Sequence, residues 1–190
     1  MANQKNCFFP FTACLSELYM QVILIFAIAK KLKANGMPFG QALGHSTGDP
    51  VSFAYPYMWS NGAMELDKEG KNILFDTPAF VDGMQRFIQA WKDGYNETGT
   101  SWDDSSNNRA YLSGQISSTF NGSSIYFVAK KDQQEIAQDT HHMLIPKGPS
   151  GRFYWLETRT MAIFKKSKNI EAAKEFLKWW FQDEQFGAWW

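Results

Sequence analysis

Residues 110–124 read AYLSGQISSTFNGSS, and the changes of pattern inside this stretch decide the fold class. Ser105 or Ser106 starts a helix that carries Ala110, Tyr111 and Leu112 and stops at Gly114. Residues 115–121 (QISSTFN) then alternate with the period of a strand. Asn121-Gly122 turns the chain, and Ser123 or Ser124 caps a further helix through Ile125, Phe127 and Val128. Helix, strand, turn and helix in immediate succession predict an α/β chain.

The same alternation continues on both sides. Residues 37–46 read as a short buried strand and its exit loop, and Asp49-Pro50 opens a helix that runs through Trp59 to Asn61-Gly62. Asp67-Lys68-Glu69-Gly70 is a hairpin tip. Thr77-Pro78 is a helix start, a cap followed by proline at the first helical position. Phe80, Val81, Met84, Phe87, Ile88 and Trp91 follow at helical spacing, and Gly94 ends the run. Met143 to Pro146 and Thr160 to Phe164 are expected strands. From Ser167 the pattern is helical again, with Ile170, Ala173, Phe176, Leu177, Trp180 and Phe181 on one face.

The N-terminal region admits two readings. Val22 to Ala29 is apolar, and Ala27-Ile28-Ala29 has the form of a signal-peptidase site. Lys5 alone makes a weak positive region, Glu17 precedes the apolar run, and Pro10 sits inside an earlier apolar patch. The favoured reading is a helix that continues through Lys30, Lys31 and Leu32 and stops at Asn35-Gly36. The apolar stretch is too short for a transmembrane span.

Composition narrows the function. Lys+Arg and Asp+Glu are both 19, so the formal net charge is zero, which excludes the basic footprint of a nucleic-acid binder. Cys7 and Cys14 are the two cysteines, too few for a disulfide framework or a zinc site. The aromatic fraction is 16%, with 8 Trp. That surplus suits flat surfaces for stacking on the apolar faces of sugars.

Catalytic motifs are weak. Gly36, Gly40, Gly44 and Gly48 recur every four residues, which is no nucleotide fingerprint, and no G-x-S-x-G elbow is present. Asp103-Asp104 with Glu157 would be the carboxylates of a glycoside-active enzyme; adjacent aspartates in a Ser/Asn-rich stretch are more often loop or capping residues. His141-His142 with Asp139 would be a metal site, but neighbouring side chains on a strand point to opposite faces. A surface histidine pair is the plainer reading, and no cofactor is expected.

Three aromatic clusters lie beside polar turns. They are Ser52 to Gly62, Thr119 to Ser124, and Phe153 to Glu157. For any single ring a core position is the plain reading. Three such clusters, each at the end of an element, predict a shared cleft in which rings stack on a sugar and amides, hydroxyls or a carboxylate take its hydroxyl groups.

These residues also carry a resemblance. Lys30 to Gly40, Gly48-Asp49-Pro50, Tyr55-Pro56 with Trp59 to Gly62, residues 110–124, Pro146 to Pro149 with Gly151-Arg152-Phe153, and Ser167 to Leu177 resemble, in that order, the extracellular solute-binding proteins of sugar ABC importers, the maltose-binding-protein-like family. The resemblance runs over residues 26–190, and residues 1–25 are unmatched. It implies a type II periplasmic-binding-protein fold, α/β and two-lobed, here incomplete, with mostly one lobe plus crossover segments. It implies no enzyme, a periplasmic monomer, a small-molecule sugar as ligand and ABC permease subunits as partners. The ligand-binding residues it suggests are Ser52, Phe53, Tyr55, Trp59, Asn121, Ser123, Ser124, Tyr154, Trp155 and Glu157. Early strands of the first lobe and C-terminal helices of the family have no counterpart here. The alternative expectation is therefore a truncated fragment that does not bind. Arg152 or Arg159 would serve a phosphate-bearing ligand.

Overall fold

The computed structural model describes residues 20–158 and 160–189. The readings placed on Lys5, Cys7, Pro10, Cys14, Glu17 and Arg159 lie outside the described residues. The chain divides into two compact units, residues 1–155 and residues 156–190.

In the first unit, α1 (Met20–Ala34) ends where the sequence predicts, with Gly36 at φ 77°. That conformation costs glycine nothing and other residues something. α2 (Asp49–Ser60) has proline at its start and a second proline, Pro56, inside it. Pro56 has no N–H to give to the Ser52 carbonyl one turn earlier. α3 (Pro78–Gly94) begins after Thr77, as its cap-and-proline signal requires. A 3₁₀ turn (Glu97–Ser101), α4 (Ser106–Leu112), α5 (Ser124–Asp132) and α6 (Gln134–Asp139) follow.

α1 lies against α3, with Gly94 at the closest approach. A Cβ at Gly94 would stand 2.6 Å from the Ala29 Cβ. Lys30 pairs with Asp93 at 3.2 Å and Lys33 with Glu97 at 2.9 Å at this contact. The core is aromatic. Phe53, Trp91 and Tyr95 form one buried cluster with Phe26, Phe39, Leu43, Phe87 and Phe120 around it. Tyr57, Met58 and Ala63 form a second, and Phe26 and Phe87 touch both. The Trp91 and Tyr95 rings stack at 4.9 Å and 13°. Burial pushes the Tyr57 hydroxyl up to about 12 and raises Tyr95 as well.

The strand expectations are met only as fragments. Phe39 bridges in parallel to Tyr95 on one side and to Ser118 on the other. The bonds are Phe39 N–H to the Gly94 carbonyl (3.0 Å), Asn96 N–H to Phe39 (2.7 Å), Gly40 N–H to Ser118 (2.9 Å) and Ser117 N–H to Pro38 (2.9 Å). Leu66 and Ile73 pair antiparallel around the predicted 67–70 hairpin tip. Among the described residues no regular ladder forms over 115–121, 143–146 or 160–164. Extended backbone becomes sheet only when a neighbour pairs with it along several residues.

In the second unit, α7 (Ile170–Trp180) begins and ends near the predicted bounds, and α8 (Asp183–Trp189) follows. Phe176 and Trp180 stack at 6.1 Å and 24°. No residue of α7 is buried. Among the described residues, no helix is long and apolar enough to cross a membrane.

Candidate ligand-binding site

Tyr55 and Trp59 are one helical turn apart on α2 and therefore share a face. Their rings lie 5.6 Å apart with planes at 28°. Trp155, nearly a hundred residues later in the chain, completes the group. It is 5.3 Å and 20° from Tyr55, and 6.0 Å and 16° from Trp59. Three rings within a narrow range of tilt make an offset plate. Phe153 meets the Trp59 ring edge-on at 6.4 Å and 68°. The Trp59 indole N–H donates to both oxygens of the Glu65 carboxylate, at 3.1 and 3.2 Å. The plate reaches solvent through Trp155, 38% exposed, and Tyr154 beside it is 51% exposed.

The turn that the sequence singled out lies elsewhere in the same unit. The Asn121 amide donates to the Asn108 side-chain oxygen. Ser123 and Ser124 are exposed at the start of α5. Asn121 and Gly122 line a cavity of about 100 Å³ with Tyr111, Tyr126 and Thr140. His141 and His142 line it too, and the Tyr126 ring meets His142 edge-on at 5.1 Å.

Two predicted residues take other work. Phe53 is buried among Tyr57, Phe87, Tyr95 and Phe120, where it holds α2 to α3 and has no ring contact with the plate. The Ser52 hydroxyl donates to the Asp49 carbonyl at 3.1 Å, inside its own helix. Glu157 belongs to the second unit.

Sequence reasoning gave Asp104 a loop or capping role but missed which helix it holds, and it missed Asn107 and Gln41. Asp104 accepts the Asp49 backbone N–H at 2.8 Å and the Ser46 hydroxyl at 2.6 Å. It thereby caps α2 from 55 residues away in the chain. Those bonds, the Ser46 one foremost, lower its carboxyl below the usual range. Asp49 is raised, chiefly by burial, although the Asn107 amide donates to it at 2.6 Å. Asn107 and Gln41 are fully buried, and Gln41 accepts the Phe120 N–H at 3.1 Å. No local pattern marks such residues, because each partner is distant in sequence. Asp103 accepts from the Ser105 and Ser106 hydroxyls at 2.8 and 2.7 Å. The serine hydrogen bonds, Ser106 first, pull its carboxyl down to about 2. An exposed carboxylate held ionised in this way is a loop anchor, poorly suited to donate a proton at neutral pH.

The model of the family described as bacterial extracellular solute-binding protein matches residues 24–190. Among solved structures, the maltose-bound MalE3 of T. maritima is similar, with a TM-score of 0.72 at 22% identity. The likeness covers 88% of this chain and 44% of that one. It establishes the fold, the α/β type II architecture of periplasmic binding proteins, and this chain spans less than half of its length. Among curated proteins none matches.

Proposed function

We infer, because the chain belongs to the bacterial extracellular solute-binding proteins, that it is the carbohydrate-recognising part of an ABC import receptor. The observation that carries this reading is the plate of Tyr55, Trp59 and Trp155. Sugar rings have a C–H face that packs on an aromatic plane and hydroxyls around their rim. A plate assembled from two chain segments, with Glu65 fixing one ring and Tyr154 exposed at its side, is suited to that geometry. The similar fold in MalE3 was solved with maltose bound, which favours a saccharide over other solutes. In this reading Asn121, Ser123 and Ser124 take hydroxyl groups, Trp155 supplies the stacking face, and Ser52 and Phe53 support the wall. The receptor works in the periplasm as a monomer and delivers its ligand to membrane permease subunits. It does no chemistry on the ligand.

A thermal melt with mono- and disaccharides at millimolar concentration tests the reading. A ligand that binds only the folded state adds about 2.7 kcal/mol at a hundredfold excess over its dissociation constant. The expected result is a midpoint raised by one class of sugar and raised only about half as much in Trp155→Ala. A cooperative melt that no saccharide shifts would overturn it.

A further inference from the structure

The first unit holds an apolar slot of about 600 Å³. Leu24, Phe26 and Ile28 of α1 form one wall, Phe39 and Phe120 a second, and Leu144 a third. None of Tyr55, Trp59 and Trp155 lines it, so it is separate from the plate. A concave, mostly apolar space of this size, with one or two placed polar groups, is the usual form of a small-ligand pocket.

The placed polar group here is Arg152. It is the one charged side chain among the described residues that line the slot. Its Nε donates to the Ile145 carbonyl at 2.7 Å, which fixes the guanidinium to the 143–146 wall. Among the described residues its other N–H groups make no hydrogen bond and no ion pair. A guanidinium offers such N–H groups as a planar fork that a carboxylate fits with two parallel bonds. No Asp or Glu among the described residues lines the slot to repel an anion. The slot therefore combines apolar walls with one anchored, unspent positive charge.

We propose that the slot binds an anionic amphiphile, a single alkyl chain that ends in a carboxylate. The chain packs on the apolar walls and the carboxylate pairs with Arg152. A saccharide is too polar for these walls. A plain hydrocarbon leaves the guanidinium unused, and an alkyl ammonium meets like charge there. This ligand class differs from the one assigned to the plate, and the two sites share none of the plate's rings.

Titration of the full chain with dodecanoate, below the concentration at which it forms micelles, tests the proposal through displacement of a fluorescent fatty acid. Dodecanoate should bind at least tenfold more tightly than dodecyltrimethylammonium, which has the same chain and the opposite charge. Decanoate, two methylenes shorter, should bind about tenfold more weakly than dodecanoate. Arg152→Gln should lower dodecanoate affinity about tenfold and leave that of its uncharged methyl ester unchanged. Leu144→Asp puts a carboxylate in the slot at a position 63% exposed, where folding tolerates it, and should abolish dodecanoate binding. Phe127→Asp, 62% exposed and outside the slot, should bind as the parent chain does. Equal affinity for the two head groups would overturn the proposal. So would an Arg152→Gln chain that binds dodecanoate as tightly as the parent, or equal losses in Leu144→Asp and Phe127→Asp. The saccharide melt is a separate readout, so failure here and failure of the receptor reading are told apart.

Discussion

Trp59 is held by two kinds of force at once, and this sets what single substitutions do. Its ring face rests in the plate with Tyr55 and Trp155, and its N–H is fixed by Glu65. Glu65→Ala leaves the ring in place but lets it turn, because a half-buried N–H loses its acceptor at a cost of about 1 kcal/mol. The expected outcome is a weaker near-UV circular dichroism signal and a few-fold loss of saccharide affinity. Trp155→Ala removes an aromatic partner outright, and a loss of about tenfold in affinity by titration calorimetry is expected. Asp103 gives a pH prediction. Its folded carboxyl is pulled down to about 2 by serine hydrogen bonds. The stability it contributes is therefore present above about pH 4, the unfolded value, and is lost as pH falls toward 2. Acid unfolding followed by fluorescence should be less steep between pH 4 and 2 in Asp103→Asn than in the parent chain.

At the scale of elements, α2 matters most because it carries Tyr55 and Trp59 on one side and Phe53 in the core on another. Its N-terminus is pinned by Asp104 and its body by Phe53. Asp104→Ala should cost about 1 kcal/mol in urea unfolding, the usual worth of a capping acceptor. The packing of α1 on α3 depends on the absence of a side chain at Gly94. A Cβ there would lie 2.6 Å from the Ala29 Cβ and 3.1 Å from the Ala29 backbone carbon. Gly94→Val should therefore part the two helices and lower stability by about 1–3 kcal/mol in the same measurement. The helices themselves were legible. Thr77-Pro78, Asp49-Pro50, Asn35-Gly36 and the face of Ile170 to Phe181 mark their bounds by local chemistry, which needs no partner. The strands over 115–121, 143–146 and 160–164 were not realised as ladders, because a strand is completed by what lies beside it.

At the scale of the whole molecule, the likeness spans 44% of MalE3, and the described strand pairing is confined to isolated bridges. The architecture places parallel strands between covering layers and draws them from distant parts of a chain. In this chain Phe39 pairs at single residues, with Tyr95 and with Ser118. The exposed apolar side chains include Leu156 and Phe164, each 88% exposed. Limited chymotrypsin digestion should cut first at these two residues, which lie in irregular backbone between α6 and α7, and mass spectrometry would locate the cuts.

By itself the sequence determined α1 to α5 and α7, the turns at Gly36 and Gly62, and the family, but neither α6 nor α8. These rest on propensity, capping and periodicity, which act over a few residues. Only the tertiary structure decided that Phe53 belongs to the core while Tyr55, two residues on, joins Trp59 and Trp155. It alone decided that Asp104 caps a helix 55 residues away. Whether a ring is a wall or a floor depends on what the folded chain brings against it, and that information is spread over contacts between segments far apart in sequence.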